Sequence, residues 1–255
     1  MRSIFEAELT QLGEDLAAMS RLVEAAMADA GTALLTGDVA LAEKVIAADR
    51  AVDALEQDLD ERCIALLAQQ QPVATDLRTV VSALRMSSTL ERMGDLARHV
   101  AEVARHRFPA PAVAAPLGDT IDAMHEAANR VARRTTRVLS THDLEVAAAI
   151  ERDDDLLDAL LEKVFATVLG PDWEGTAQET VDATLLSRYF ERFGDHGVSV
   201  ARRMAYLVTG EPTLTPCPPP PSPLPLTPPG LADDSARTRV RADARAARTV
   251  RKRGG

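Results

Sequence analysis

Cysteine is scarce: only Cys63 and Cys217 occur in 255 residues. Two thiols so far apart supply neither a disulfide framework nor the ligand spacing of a zinc site. Aromatic residues make up 3% of the chain. That scarcity argues against strand packing and removes the stacking platform on which proteins hold single-stranded nucleic acid. No apolar run approaches the roughly 20 residues needed to span a bilayer. The opening residues, Met1-Arg2-Ser3-Ile4-Phe5-Glu6, lack the basic start and apolar core of a secretory signal. These features read as a soluble, cytoplasmic protein. Catalytic signatures are equally sparse. There is no Gly-rich phosphate loop, no Gly-x-Ser-x-Gly elbow and no credible Cys/His or Ser/His arrangement. Glu-x-x-His occurs nowhere, which argues against a ferritin-like di-iron centre.

Positive charge is in deficit, and unevenly so. The chain carries a net −10. Residues 212–255 hold eight Lys and Arg against three Asp and Glu, so the body before them stands at −15. So acidic a body repels nucleic acid backbones and favours cations or basic protein surfaces as partners. The same stretch holds ten of the 15 prolines. It cannot bury enough apolar surface to offset its ordering entropy, so residues 211–255 are predicted to be a disordered tail, Pro-rich and then Arg-rich.

What the chain has in quantity is helix-forming sequence, arranged twice. Phe5, Leu9, Leu12, Leu16, Met19, Val23 and Ala26 recur four and three apart, the seam of a long helix packed against neighbours. Thr36-Gly37-Asp38 breaks that helix, and Asp38 can cap the next. A second helix over about 39–67 buries Leu41, Val45, Ala48, Val52, Leu55 and Leu59. A third, over about 75–106, carries Leu77, Val81, Leu84, Met93, Val100 and Val103. Pro109, Pro111 and Pro116 mark a linker, since proline cannot continue a helix interior. The pattern then restarts at Leu117, and Thr141-His142-Asp143 takes the place of Thr36-Gly37-Asp38. The offset between the halves falls from 105 to 100 before the last helix, which reads as a shortened connection there. The expectation is an all-α protein of two tandem three-helix bundles: residues 1–107 and 117–210, joined by a linker over 108–116.

The repeat also carries chemistry. Glu91-Arg92-Met93-Gly94-Asp95 returns as Glu191-Arg192-Phe193-Gly194-Asp195, and Asp49/Asp53 returns as Asp154/Asp158. Each pair is spaced i, i+4, so its two carboxylates share a helix face about 5–6 Å apart and repel. Neighbouring helices of an antiparallel bundle would bring one pair from each together, giving four carboxylates per half. Oxygen-only sets suit hard cations such as Mg²⁺, Ca²⁺, Mn²⁺ or iron, with zinc less favoured. His99, four after Asp95, extends the stripe and could add a nitrogen ligand; its counterpart is Ser199. The rival reading is structural: the acids form interhelical salt bridges with Arg85, Arg92, Arg188 and Arg192. Gly94 and Gly194 cost about 1 kcal/mol each in a helix relative to Ala, which suggests that a neighbouring helix or a ligand comes close there. Both readings stay open on spacing alone.

Over residues 1–210 the chain resembles the PhoU family. The resemblance rests on Pro72-Val73-Ala74-Thr75-Asp76-Leu77-Arg78, Leu90-Glu91-Arg92-Met93-Gly94-Asp95 and Phe190-Glu191-Arg192-Phe193-Gly194-Asp195-His196. It implies multinuclear divalent or trivalent metal clusters (Fe, Mn, Mg or Zn) held by Asp49, Asp53, Glu91 and Asp95 in one half and by Asp154, Asp158, Glu191 and Asp195 in the other. It also implies a homodimer that catalyses no reaction. Such a protein links the ATPase subunit of a phosphate transporter to a phosphate-sensing histidine kinase, meets the membrane only through those partners, and keeps phosphate-starvation genes repressed when phosphate is plentiful. The chain departs from the family at His99 and Ser199, where Asn is usual, and in its tail. The alternative is a metal-storage protein or a carboxylate-bridged metal enzyme using the same grooves.

Overall fold

The structure is a computed structural model and describes residues 2–211; the expected tail lies outside the described residues. Six long helices account for nearly all of it, with no strand among the described residues: α1 Arg2–Thr36, α2 Val39–Gln70, α3 Ala74–Arg107, α4 Gly118–Thr141, α5 Leu144–Val168 and α6 Ala177–Thr209. A single 3₁₀ turn, Ala115–Leu117, sits in the proline-marked linker. The helices begin and end where cap chemistry dictates. Asp38 caps α2 by accepting from the Leu41 amide at 3.0 Å, and Asp143 caps α5 by accepting from the Glu145 amide at 2.9 Å. Thr176 and Glu179 form a capping box at the start of α6, satisfying backbone donors that a bare helix end leaves orphaned.

α1, α2 and α3 pack mutually, as do α4, α5 and α6, so each repeat is a three-helix bundle. The repeats also pack on each other, α1 against α4 and α3 against α6, and the described helices form one compact unit. Ser20 and Thr136 hydroxyls meet across the α1–α4 contact at 3.0 Å. This arrangement leaves α2 and α5 on the outside. Their buried residues confirm it: α2 commits Val45, Val52, Leu59 and Leu66, one every seven residues, to the core. Ala48, expected on that face, is exposed, because α2 is covered on one narrow side only. Leu77 is also exposed, at 41%. α3 is the opposite case, held between α1, α2 and α6 and burying thirteen residues. Each fully buried Leu or Met in such a core contributes about 1.5–3 kcal/mol.

The second repeat differs from the sequence-based expectation in one respect. The change in offset is not a shortened connection. α5 itself is shorter, 25 residues against 32 in α2, and the link to α6 is longer, over residues 169–176. Gly170-Pro171 stops α5 early, and Trp173 anchors the link by donating its indole N–H to Thr180 Oγ1 at 2.9 Å.

Candidate functional site

The two acidic sets lie where the outer helix of each repeat meets the inner one. In the first repeat the groove runs between α2 and α3. Gly94 lets the helices approach: a Cβ there would lie 3.2 Å from Val52 Cγ1 and 3.4 Å from Asp49 Oδ1. Asp49, Asp53, Glu91 and Asp95 all line this groove or its rim, and Arg98 reaches into it. Arg98 Nε donates to Asp49 Oδ2 at 2.6 Å, one terminal nitrogen to Asp95 Oδ1 at 2.5 Å and the other to Glu102 Oε1 at 2.8 Å. The Asp49 side chain is 11% exposed and Arg98 26%, so these bonds are partly shielded from water. Burial pulls the Asp49 carboxyl upward while Arg98 pulls it down. Glu91, which has no such partner, is shifted upward by burial and then by Asp95, Glu56 and Asp53.

The second groove, between α5 and α6, has the same carboxylates without that guanidinium. The residue in the place of Arg98 is Val198. Arg188, whose counterpart is Ser88, donates to Glu191 Oε1 at 2.7 Å. That leaves Glu191 Oε2 and Asp154 Oδ1 buried with no hydrogen-bond partner. Burial, followed by Asp195, Asp158, Glu191 and Asp155, pushes Asp154 up to about 7. Asp158 is shifted upward as well, by burial and then Asp195. Glu191 is 8% exposed, and burial lifts it against the opposing pull of Arg188. Side chains of the neighbouring helix crowd the glycine more closely here than in the first repeat. A Cβ on Gly194 would collide with Asp154 Oδ1 and would lie 2.7 Å from Leu157 Cδ1.

All eight sequence-predicted carboxylates therefore lie on the two grooves, four on each. Among the described residues they do not gather: no three His, Cys, Asp or Glu side chains converge as a metal-ligand group. His99 points away from the first groove and faces Tyr189 across the α3–α6 contact, ring centroids 5.2 Å apart. The expected arginine partners fare unevenly. Arg188 forms its ion pair, but the guanidinium groups of Arg85, Arg92 and Arg192 form none among the described residues. Sequence reasoning missed Arg98, although it stands three after Asp95 and four before Glu102, the spacing at which helical neighbours pair. It also missed Asp153, 6% exposed and bound by Arg130 Nε at 2.9 Å and by Arg134. A pocket of about 810 Å³ at the far end of the bundle, lined by Leu9, Leu16, Met86 and Met204, lies apart from these acids.

The donor sets can be tested against a cation. In the second groove two buried carboxylate oxygens lack partners and the four acids offer only oxygen donors, which suits a hard divalent ion, with Arg188 engaging the other oxygen of Glu191. In the first groove a guanidinium already lies between Asp49 and Asp95, and the set does not fit a metal as built.

A duplicated three-helix repeat with a paired acidic motif on each copy defines a helical-bundle class that comparison with known proteins makes specific. The family model described as the PhoU domain matches residues 16–104 and again 121–204. The chain belongs to the PhoU family. It is 40% identical over 210 residues to the phosphate-specific transport system accessory protein PhoU homolog 2 of Mycobacterium tuberculosis, covering 82% of this chain and 99% of that protein. It is 32% identical over 214 residues to the PhoU homolog of Rhizobium meliloti, covering 82% and 88%. The crystal structure of PhoU from Pseudomonas aeruginosa superposes with a TM-score of 0.74 at 26% identity, over 81% of this chain and all of that one.

Proposed function

We propose that the protein is a non-enzymatic regulator of phosphate uptake. It links the ATPase subunit of a phosphate transporter to a phosphate-sensing histidine kinase and keeps phosphate-starvation genes off when phosphate is plentiful. The observation that carries this reading is the family match over both repeats, alongside relatives named as accessory proteins of phosphate-specific transport systems. No helix among the described residues is long and apolar enough to cross a membrane, so in this reading the transporter is reached through its ATPase subunit. The protein works as a homodimer, as the family resemblance supports, and by contact. An acidic body speeds encounter with basic partner surfaces, an effect that fades with added salt.

In the same reading the second groove holds a hard divalent cation through Asp154, Asp158, Glu191 and Asp195. Support comes from the buried, partnerless oxygens of Asp154 and Glu191. Such an ion supplies charge neutralisation between α5 and α6. The residues' own part is to hold the helices in register around it, with Arg188 restraining Glu191.

The test is a deletion strain carrying a phosphate-responsive reporter, grown in excess phosphate. The reporter should be on. A reporter that stays off, with no salt-sensitive binding of the purified protein to the transporter ATPase or the sensor kinase, would overturn the regulatory reading. Elemental analysis of the purified protein addresses the cation separately.

A further inference from the structure

The seam where α3 meets α6 carries a concentration of positive charge that the grooves do not use. On α3, Arg78, Arg85, Arg92 and His99 recur every seven residues, and on α6 Tyr189, His196 and Arg203 do the same. A seven-residue interval is nearly two helical turns, so each set forms one stripe along its helix. The helices run antiparallel. His99 faces Tyr189 with ring centroids 5.2 Å apart, Arg107 Nε reaches Asp182 Oδ2 at 2.6 Å, and the Arg78 guanidinium lies 5.3 Å from the Tyr206 ring centroid. That register puts Arg92 opposite His196 and Arg85 opposite Arg203, with Arg192 one turn before His196.

Four of these cations bond to nothing that holds the fold. The guanidinium groups of Arg85, Arg92, Arg192 and Arg203 take no part in a hydrogen bond or ion pair among the described residues. Arg203 Nε, Arg78 Nε and His99 Nδ1 are buried without a partner. Burial and the nearby Arg85 disfavour the charge on Arg203. In a chain of net −10, five arginines, Arg78, Arg85, Arg92, Arg192 and Arg203, line up beside the rings of His99, Tyr189 and His196 with no ion-pair partner among the described residues, a surface awaiting a counter-ion.

We propose that the α3–α6 seam binds a single acidic helix or extended acidic segment of a partner protein. Shape and charge choose this occupant. From Arg78 to His99 the stripe is about 30 Å long at 1.5 Å per residue, but only one helix contact wide. A small anion would meet one rung, Arg92 with Arg192 and His196, and leave Arg85 and Arg203 uncompensated. A broad polyanion, a bilayer or a duplex, would press its charge onto the acidic rims, Glu91 and Asp95 on one side and Glu191 and Asp195 on the other. A single helix, about 10 Å across, matches a stripe one helix contact wide, and charge-assisted hydrogen bonds to Arg are its natural attachment. The inference rests on the reading that the protein acts through partner proteins, and it names one surface and the chemistry that surface accepts.

The experiment uses the full chain and a fluorescein-labelled oligoglutamate peptide of about 20 residues, long enough to follow the stripe, with anisotropy as the readout at about 0.05 M salt, where screening is weak. The variant pair R92Q/R192Q removes two exposed charges that no protein group pairs. Affinity should fall by up to about tenfold, as expected for losing two exposed ion pairs, while the melting temperature holds or rises. Unchanged affinity would overturn the proposal, since the Arg-rich stretch 237–253 remains in both proteins and would then be the acceptor. Displacement of the peptide by millimolar inorganic phosphate, or tighter binding to phosphatidylglycerol vesicles or duplex DNA, would overturn it in favour of a different anion. A silent reporter in the deletion strain would remove the phosphate reading without touching this result, so the two failures are distinguishable.

Discussion

Arg98 on α3 reaches Asp49 on α2, Nε to Oδ2 at 2.6 Å. The same place in the second repeat holds Val198. Two exchanges set the grooves apart, Arg98 against Val198 and Ser88 against Arg188. In the first a guanidinium bridges Asp49 and Asp95; in the second Arg188 reaches Glu191 only, and Asp154 Oδ1 and Glu191 Oε2 stay without partners.

Arg98→Met should therefore destabilise the protein at neutral pH. It strands Asp49, Asp95 and Glu102 beside Asp53 and Glu91, a like-charge set worth about 1–3 kcal/mol once the partial exposure of the pair is allowed for. Urea denaturation at pH 7 measures the loss. The variant should also gain thermal stabilisation from added Mn²⁺ or Mg²⁺ beyond that of the parent chain, because the vacated groove then becomes an all-oxygen set. A variant whose melt ignores divalent ions would refute this account of the first groove.

Asp154 makes a pH prediction with a definite sign. Its carboxyl is pushed up to about 7 from 3.8, so the folded state binds the proton more tightly than the unfolded chain does. The group therefore destabilises increasingly as pH rises from about 4 to 7, and its full penalty is present above 7. Asp154→Asn, measured in chelator, should stabilise by about 1–2 kcal/mol at pH 8, after discounting for partial exposure, and have little effect near pH 4. Thermal melts across that range check it. Equal effects at both ends would show that the carboxyl is not held up by its surroundings.

The two glycines should respond differently to alanine. Helix propensity alone favours each change by about 1 kcal/mol. At Gly94 the new methyl meets Val52 and Asp49 at 3.2 and 3.4 Å, a contact those side chains can relax, so Gly94→Ala should be close to neutral. At Gly194 it strikes Asp154 and Leu157, so Gly194→Ala should cost about 1–3 kcal/mol as overpacking. Denaturant midpoints of the two variants decide it; similar midpoints would contradict the tighter packing around Gly194.

The repeat also exposes a position where the second half is strained. Gly37 ends α1 with φ 70°, and His142 ends α4 with φ 58°. A left-handed residue suits glycine and costs a side chain roughly 1–2 kcal/mol. His142→Gly should therefore stabilise by about 0.5–1 kcal/mol, after the added freedom of the unfolded chain is subtracted, and Gly37→Ala should destabilise by about 1 kcal/mol. Calorimetric melts of both variants test the pair.

Much of this molecule was written in its order of residues. Heptad spacing, proline and glycine stops, and Asp38 and Asp143 as caps determined six helices in two copies, because helix periodicity and capping are local properties. The recurrence of Glu91/Asp95 as Glu191/Asp195, and of Asp49/Asp53 as Asp154/Asp158, placed four carboxylates in each repeat before any packing was known. Which cation answers them was not legible, because that depends on where side chains of adjacent helices end in space. Only the tertiary structure brought Arg98 to Asp49, left Asp154 and Glu191 with partnerless oxygens, and turned His99 toward Tyr189. It alone laid α3 against α6, so that arginines spread over more than a hundred residues became one unpaired stripe. The physical reason is common to all of these: charge interactions act over ångströms in space, and sequence spacing reports that distance only within a single helix.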